Sequence, residues 1–550
     1  MKAIYDAKAN AEIGKVNTLS SKARYQSDPL TLFKKLCGNK SNNLLLESAE
    51  IDKKHQLKSL LLVDAAVKIV CNANQVTFEA LSVNGQAAMD FAKQALKGKA
   101  ELSVNQQTFM ATFERPLQTL DEKSRLLATN PFEALRVFQR LNNENHHPFA
   151  VFLAGAFAFD MITMSEQLPD VANGENTCPD FVYYLAETLV VIDHEKRSSE
   201  VIANVFSGPN QQKCHFEIAR RLSAIKTLVE SDIAPPQTTK LTDVTPLDVS
   251  CDISDEVFCD NVEKLKEHIK AGDIFQVVPS RTFSLPCADT FNAYLALRTS
   301  NPSPYMFYLQ DTDFCMFGAS PESAIKYQQH NRQVEIYPIA GTRPRGYRAN
   351  GEFSLDLDCR IELELRQDKK ELAEHIMLVD LARNDVARVS QPGTRHVADL
   401  LKVDRYSHVM HLVSRVCGTL STDLDALHAY QACMNMGTLS GAPKVRATEL
   451  IRQFEGKRRG SYGGAVGYLT GEGDMDTCIV IRSAFVKNAI AHVQAGAGVV
   501  YDSNPQAEAN ETRQKAQAVI SAIQNAATMV NVSSTHSGAS NQDAAKSEAK

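Results

Sequence analysis

Apolar residues along this chain keep two rhythms. Short unbroken runs at 44–46 (LLL), 60–63 (LLLV), 188–192 (TLVVI) and 201–206 (VIANVF) have the length of buried strands. Other apolar residues recur at helical spacing. Ile218, Leu222, Ile225 and Leu228 predict a helix over 216–229, and Phe258, Val262, Leu265 and Ile269 predict a second that stops at Gly272. Between these helices, 232–250 (DIAPPQTTKLTDVTPLDVS) keeps neither rhythm. Its prolines, threonines and aspartates predict a linker. It separates an N-terminal half, 1–231, from a second region, 251–528. The last residues, 529–550, are rich in Ser, Ala, Asn and Lys and predict a disordered tail.

Polar residues interrupt the pattern most often in the second region. The apolar strand 274–278 contains Gln276, either solvent-facing or an amide aimed at a site. Residues 301–306 (NPSPYM) predict a proline-set turn or extended loop. A strand at 314–317 ends in GASPE (318–322), and a strand at 333–339 runs into AGTRPRG (340–346). There Gly341 and Thr342 either offer donors to a carboxylate or simply link a strand to a helix. Over 368–386, Leu372, Ile376 and Val379 predict the buried stripe of a helix that also carries Glu371 and Glu374, three apart. Residues 404–414 alternate polar with apolar and carry His408 and His411; a histidine on a strand is more often structural than functional. Pro443 starts a helix that ends near Gly456. A glycine-rich strand follows at 460–470, turned by 471–474. The next strand, 477–487, places Cys478, Val480, Arg482, Ala484 and Val486 on one face. An arginine on an apolar face is costly unless it meets an anion.

A hairpin at 487–489 leads into 494–515 (QAGAGVVYDSNPQAEANETRQK). Glycines bare the backbone here, and Asn504 caps a helix opened by Pro505. Glu508, Glu511 and Lys515 follow at i, i+3 and i+7, on one helix face. Taken alone, this is better explained by a surface helix with an ion pair. A second ExxE helix at 371–374 changes the balance, because a hard cation needs several oxygen ligands.

Bulk properties narrow the class. At 550 residues the chain exceeds one simple core. A net charge of −6 supplies no basic surface for nucleic acid. The twelve cysteines include no CxxC pair and no adjacent histidine cluster, so buried free thiols in a reducing compartment are expected. The opening MKAIYDAKANAEIGK has no apolar core of a signal peptide, and no run approaches the roughly 18 apolar residues of a membrane span. A cytoplasmic protein is expected. His375 beside Glu374 does not make HExxH, and GTLSGAPK (437–444) lacks the spacing of a phosphate loop, so both of those chemistries are excluded.

Five motifs then occur in order: PIAGTRPRG (338–346), LVDLARND (378–385), GTLSGAPK (437–444), GSYGGAVGY (460–468) and QAGAGVVYDSNPQAE (494–508). With LLLESAEI (44–51), they resemble the chorismate-utilising enzymes, most closely the anthranilate synthase large subunits. The resemblance implies an α/β (α+β) fold, a β-sandwich flanked by helices with the active site in a cleft between the layers. It implies Mg²⁺ held by Glu374 and Glu511, with Glu371 and Glu508 as outer partners. It implies that Tyr462, Arg482 and the backbone of Gly496, Ala497 and Gly498 bind the enolpyruvyl carboxylate of chorismate. Gly341 and Thr342 match a further substrate contact, with Thr438 and Lys515 nearby. Glu322 matches a general acid and His411 a base. Ser48, Pro304, Tyr305 and Met306 match a tryptophan effector pocket, which would give the N-terminal half a regulatory and partner-docking role.

Two positions choose within the family. Members that add water resemble one another in having a lysine where this chain has Gln276. Aminodeoxychorismate synthases usually read PIKGT where this chain has Ala340. Without either lysine, neither activated water nor a covalent lysine adduct is expected, and ammonia remains as the nucleophile. No GxCxG elbow surrounds any cysteine, so the resemblance implies a separate glutamine amidotransferase subunit in a heterotetramer, with free ammonia as an alternative donor. Two other readings stand beside this one: aminodeoxychorismate synthase component I, and a non-catalytic tryptophan-binding regulatory subunit. Ala340 argues against the first, and intact Glu322, Glu374, His411 and Glu511 against the second.

Overall fold

The apolar run at 60–63 lies in the long strand Lys58–Asn72 and the run at 188–192 in Phe181–Asp193. The two pair antiparallel and anchor everything else. This computed structural model describes residues 13–48, 57–105, 108–116, 119–232, 238–240, 247–348, 350–406 and 409–531. From the central pair one antiparallel ladder runs through Asn43–Glu47, Tyr305–Gln310, Cys315–Ser320, Ser483–Lys487, Ile490–Gly496 and Ser280–Pro286. The other runs through Phe152–Phe157, Ala465–Thr470, Met475–Ile479, Ser323–Gln328, Gln333–Ile336 and Val409–Thr419.

The ladders face each other. Leu44, Phe152, Tyr184, Phe307, Met316 and Val466 meet between them in one core. Helices cover the outer faces, as apolar strands without polar alternation require. Pro29–Cys37, Gln211–Glu230, Thr290–Ser300 and Pro505–Ala527 cover the first ladder. Val83–Ala95, Lys369–Ala387 and Ala426–Cys433 cover the second. The result is the helix-flanked β-sandwich expected from the sequence, mixed α and β. Both ladders interleave strands from before and after the expected linker: Asn43–Glu47 pairs with Tyr305–Gln310, and Phe152–Phe157 with Ala465–Thr470. Among the described residues no helix is long and apolar enough to cross a membrane.

Several local expectations change. Thr238–Lys240, within the expected linker, pairs with Met529–Asn531 at the start of the expected tail. Residues 1–12, 233–237, 241–246 and 532–550, and His408 within 404–414, lie outside the described residues. Residues 339–344 form a strand and not a strand-to-helix connection. The buried face of Lys369–Ala387 is built from His375, Leu378, Val379, Ala382 and Val386; Ile376, expected inside, is 46% exposed. Packing against the Val409–Thr419 strand decides that face, and a three-residue stripe does not.

Leu45 is fully buried on a strand that pairs with both Lys58–Asn72 and Tyr305–Gln310. Leu45→Ala is expected to cost about 2–5 kcal/mol, seen as a lower denaturant midpoint at unchanged slope. A loss under about 1 kcal/mol would mean that this strand does not join the two halves in one cooperative core.

Candidate active site

At one end of the sandwich the chain crosses between the layers twice, side by side. Cys315–Ser320 passes through Pro321 and Glu322 to Ser323–Gln328 in the other layer. Met475–Ile479 returns through Val480, Ile481 and Arg482 to Ser483–Lys487. Backbone hydrogen bonds tie the crossings: the Ala319 N–H donates to the Arg482 carbonyl at 3.1 Å, and the Ile479 N–H to the Glu322 carbonyl at 3.0 Å. Arg482 has φ of +50°, in the left-handed region. The expected single strand 477–487 is therefore two strands broken at the arginine. Cys478 and Val480 pack inside the sandwich, whereas Ala484 and Val486 pack against the outer helices, so the single apolar face predicted for 477–487 does not exist.

The crossings border a cleft of about 650 Å³. Glu322 stands in it only 6% exposed, with the Thr438 hydroxyl donating to its Oε1 at 3.2 Å. Burial raises its carboxyl to about 8, against the opposing influence of Thr438 and Lys515, so it carries a proton at neutral pH. His411 also lines the cleft, from the Val409–Thr419 strand. Its Nδ1 lies 2.9 Å from the Thr342 hydroxyl. Burial, and next the Arg482 charge, lower it to about 4, so the imidazole is neutral. Gly341 sits at a bulge where strand register slips between Ala340 and Thr342, with φ of +68°. A Cβ there would also meet Leu365 at 2.9 Å. A carboxyl that keeps its proton and an imidazole without one thus share a single space.

The opposite wall comes from the Gly496–Gly498 stretch. A Cβ on Gly496 would lie 2.8 Å from the Pro279 carbonyl and 3.0 Å from the Tyr462 hydroxyl. Tyr462 is buried, which pushes its phenol up to about 12. Ala497 is fully buried, its N–H bonded to the Pro279 carbonyl at 3.1 Å. Unlike its two neighbours it does not line the cleft. Gln276 does line it, which selects the second of its two expected roles; its Oε1 is buried with no hydrogen-bond partner among the described residues. Arg482 reaches the same space, where burial lowers its pKa against the attraction of Tyr462 and Glu511.

Both ExxE pairs meet at the outer end of the cleft. Glu371 and Glu374 come from Lys369–Ala387, and Glu508 and Glu511 from Pro505–Ala527. The second helix starts as its sequence predicts: the Asn504 side chain accepts from the Ala507 N–H at 3.0 Å, with Pro505 at the first position. Arg343 stands 3.0 Å from Glu371, and Lys370 3.8 Å from Glu374. Lys515 lies 2.7 Å from Glu511 and donates to the Gly496 carbonyl at 3.0 Å. Glu374 is raised to about 7, by burial first, with Lys370 opposing and then Glu371, Glu511 and Glu508 adding. Among the described residues no three carboxylate, histidine or cysteine side chains already close on one point. Magnesium commonly takes one or two protein carboxylates and completes its octahedron with water and substrate oxygens, so this all-oxygen donor set fits such an ion.

Every catalytic, substrate-contact and metal residue predicted from sequence except Ala497 lines this cleft. Sequence reasoning missed Lys370, Gln494 and Gln514. Lys370 was legible, four residues before Glu374; no pattern marks the two glutamines. The effector set divides. Ser48 and Met306 line a separate cavity of about 660 Å³ with Glu47, His194 and Arg298. Glu47 is buried there, paired with Arg298 at 3.0 Å and accepting from the Tyr294 hydroxyl at 2.6 Å. Pro304 and Tyr305 do not line it. Strand neighbours point to opposite faces, so Tyr305 packs inside the sandwich and donates to Asp476 at 3.2 Å. Residues 49–56, beside Ser48, lie outside the described residues.

The chain is similar to known proteins over most of its length. The family model described as chorismate binding enzyme matches residues 86–521. The anthranilate synthase component 1 of Vibrio cholerae is 60% identical over 509 residues, which is 92% of this chain and 96% of that protein. The Escherichia coli K12 protein of the same name is 55% identical over 506 residues, covering 92% of this chain and 96% of its own length. Among solved structures, anthranilate synthase component I from Streptococcus pneumoniae is similar with a TM-score of 0.64 and 28% identity, over 86% of this chain and 94% of that one.

The Glu322 carboxyl gives a stability test. Its folded pKa, about 8, lies above that of an exposed glutamate, so the native state holds a proton the unfolded chain releases. Below about pH 4 both states are protonated and nothing is lost. Between about 4.5 and 8 the contribution of Glu322 to stability falls as pH rises, by on the order of a few kcal/mol. Glu322→Gln is expected to remove that slope and to melt higher than the parent at pH 9. A lower melting temperature at pH 9 would show that the carboxyl is not held neutral.

Proposed function

The chain belongs to the anthranilate synthase component 1 family of chorismate binding enzymes, and on that premise we propose that it converts chorismate and ammonia to anthranilate and pyruvate. The observation that carries the reading is the cleft itself: a protonated Glu322, a neutral His411, Arg482 and both ExxE pairs line one space. Arg482, Tyr462 and the bared backbone at Gly496 and Gly498 suit the enolpyruvyl carboxylate. The glutamates suit a magnesium ion on the ring carboxylate, with Glu374 and Glu511 as its protein ligands. Such an ion, when bound, withdraws electron density from the ring and favours attack at C2.

The residues then divide the work. Ammonia forms the C2–N bond, the ring double bonds shift, and the C4–O bond breaks. Glu322 gives its proton to the departing oxygen, which leaves as water. The proton shed by the new amine restores the carboxyl. His411 takes the C2 proton, the enolpyruvyl C–O bond breaks, and that fragment gains a proton at its methylene carbon to become pyruvate while the ring becomes aromatic. Gln276 and Ala340 present no amine to the cleft, which disfavours both water addition and a covalent lysine route. Aminodeoxychorismate formation is the less favoured reading on that ground.

Ammonia would come from a glutamine amidotransferase subunit in a heterotetramer, because no cysteine here sits in a nucleophile elbow. The cavity at Ser48 and Met306, with a carboxylate and a guanidinium in its wall, suits an amino acid such as tryptophan as inhibitor.

Incubation with chorismate, Mg²⁺ and ammonium at alkaline pH is expected to give anthranilate fluorescence. Glu511→Gln should lower turnover at least about 100-fold, and near-normal activity would refute the metal assignment. A product of 4-amino-4-deoxychorismate would replace the reading with its alternative. The chain has no tryptophan of its own, so bound L-tryptophan can be followed by its own emission. Ser48→Phe is expected to weaken that binding about tenfold or more. Unchanged binding would place the effector elsewhere.

A further inference from the structure

Among the charged motif residues that do not line the cleft, two from different motifs meet. Asp385 closes the 378–385 motif and Lys444 closes 437–444. They form a buried ion pair: Lys444 Nζ lies 2.8 and 2.9 Å from the two Asp385 oxygens and donates to the Cys433 carbonyl at 2.7 Å. Desolvating such a pair is expensive, so its position asks for a reason.

Asp385 lines two cavities. On one side is an outer pocket of about 400 Å³, with Arg125, Glu166, Arg388 and Lys444 in its wall. On the other is a cavity of about 20 Å³, held between Leu378, Leu381 and Ala382 of the helix and the facing segment 436–438. Glu322, Leu378 and Thr438 line both this small cavity and the active cleft. Three spaces therefore stand in a row. Glu322 and Thr438 separate the first two, and Asp385 separates the second from the third.

The small cavity is the size of one water, which needs roughly 10–15 Å³. Its lining holds the carboxyl-bearing Glu322 and Asp385, the hydroxyl-bearing Ser323 and Thr438, and otherwise mostly apolar residues, so a water there has polar partners. The reaction proposed above releases one water per turnover at Glu322. Glu322 is at the buried end of the cleft, 6% exposed, while the Glu511 side chain at the other end is 43% exposed. Substrate spanning the cleft would stand between the new water and the open end.

We propose that the small cavity takes up the water released at Glu322 and passes it by Asp385 to the outer pocket. This rests on Glu322 as proton donor, from the preceding subsection. Ala382, 4% exposed on the cavity wall, is the place to obstruct it.

The test uses the full chain with ammonium as nitrogen donor. Ala382→Val is expected to lower kcat about tenfold with KM for chorismate changed less than about twofold, whereas Ala382→Ser stays near the parent in both. A crystal structure of the parent is expected to show an ordered water in hydrogen-bond reach of Glu322 or Asp385 within this cavity. A dry cavity would overturn the proposal even where Ala382→Val fails to fold, and so would an unchanged kcat in Ala382→Val. Loss of turnover in Glu322→Gln alongside either of those results sinks the water passage alone. Turnover that survives Glu322→Gln sinks the proton-donor reading and the passage with it.

Discussion

The site depends on two chain crossings held together by backbone hydrogen bonds. A sandwich normally keeps its layers apart, with side chains as the only contact across the core. Here two strands change layer together, and the Ala319–Arg482 and Ile479–Glu322 bonds lock their crossings in register. Each crossing leaves one functional side chain at the break. Neither Glu322 nor Arg482 could face the cleft from within a regular strand, where its neighbours fill the core on one side and meet the helices on the other. The left-handed φ of Arg482 is the local strain that this placement requires.

Burial sets much of the chemistry along the cleft. At the inner end it removes charge: the Glu322 carboxyl is held protonated and the His411 imidazole neutral, both chiefly by desolvation. At the outer end helices covering opposite faces of the sandwich each deliver two glutamates, and burial there raises Glu374 as well. Lys515 spans both functions, since it pairs with Glu511, bonds the Gly496 carbonyl and lowers the pKa of Glu322. Under the proposed function, the dianionic substrate would set one carboxylate against Arg482 and the other against a cation held by the glutamates.

Much of this was legible in the sequence because the motifs are local. The capped helix at Asn504 and Pro505, the ExxE spacing and the bared backbone at Gly496 and Gly498 are set by neighbours in the chain. What sequence could not supply came from pairing between distant segments. Reading 477–487 as one strand assumes that alternation continues, and only the partner crossing at Pro321 and Glu322 shows why it stops. Ile376 was expected inside because periodicity has no knowledge of which sheet the helix covers. Tyr305 and Met306 were grouped by a motif match, yet a strand sends adjacent side chains to opposite faces. The Asp385–Lys444 pair joins two motifs 59 positions apart, and neither motif alone predicts that contact.

The same crossings join the second cavity to the first. Met306 lines the cavity at Ser48, and its strand partner across the ladder is Ala319. Ala319 is the residue whose N–H binds the Arg482 carbonyl, and Glu322 follows three positions later. A ligand that displaced the Tyr305–Gln310 strand would therefore move the backbone carrying both Arg482 and Glu322, with no change in the ExxE helices needed. For that to alter activity, the ligand must bind one strand position better than the other. The ladder makes this demanding, because Tyr305–Gln310 is paired on both sides, with Asn43–Glu47 and Cys315–Ser320. Shifting it by itself would cost several backbone hydrogen bonds, so the favourable motion is of the three strands together. Ser48 lies at the end of the first of these strands and Glu322 just beyond the last, which places the two cavities at opposite edges of one three-stranded unit.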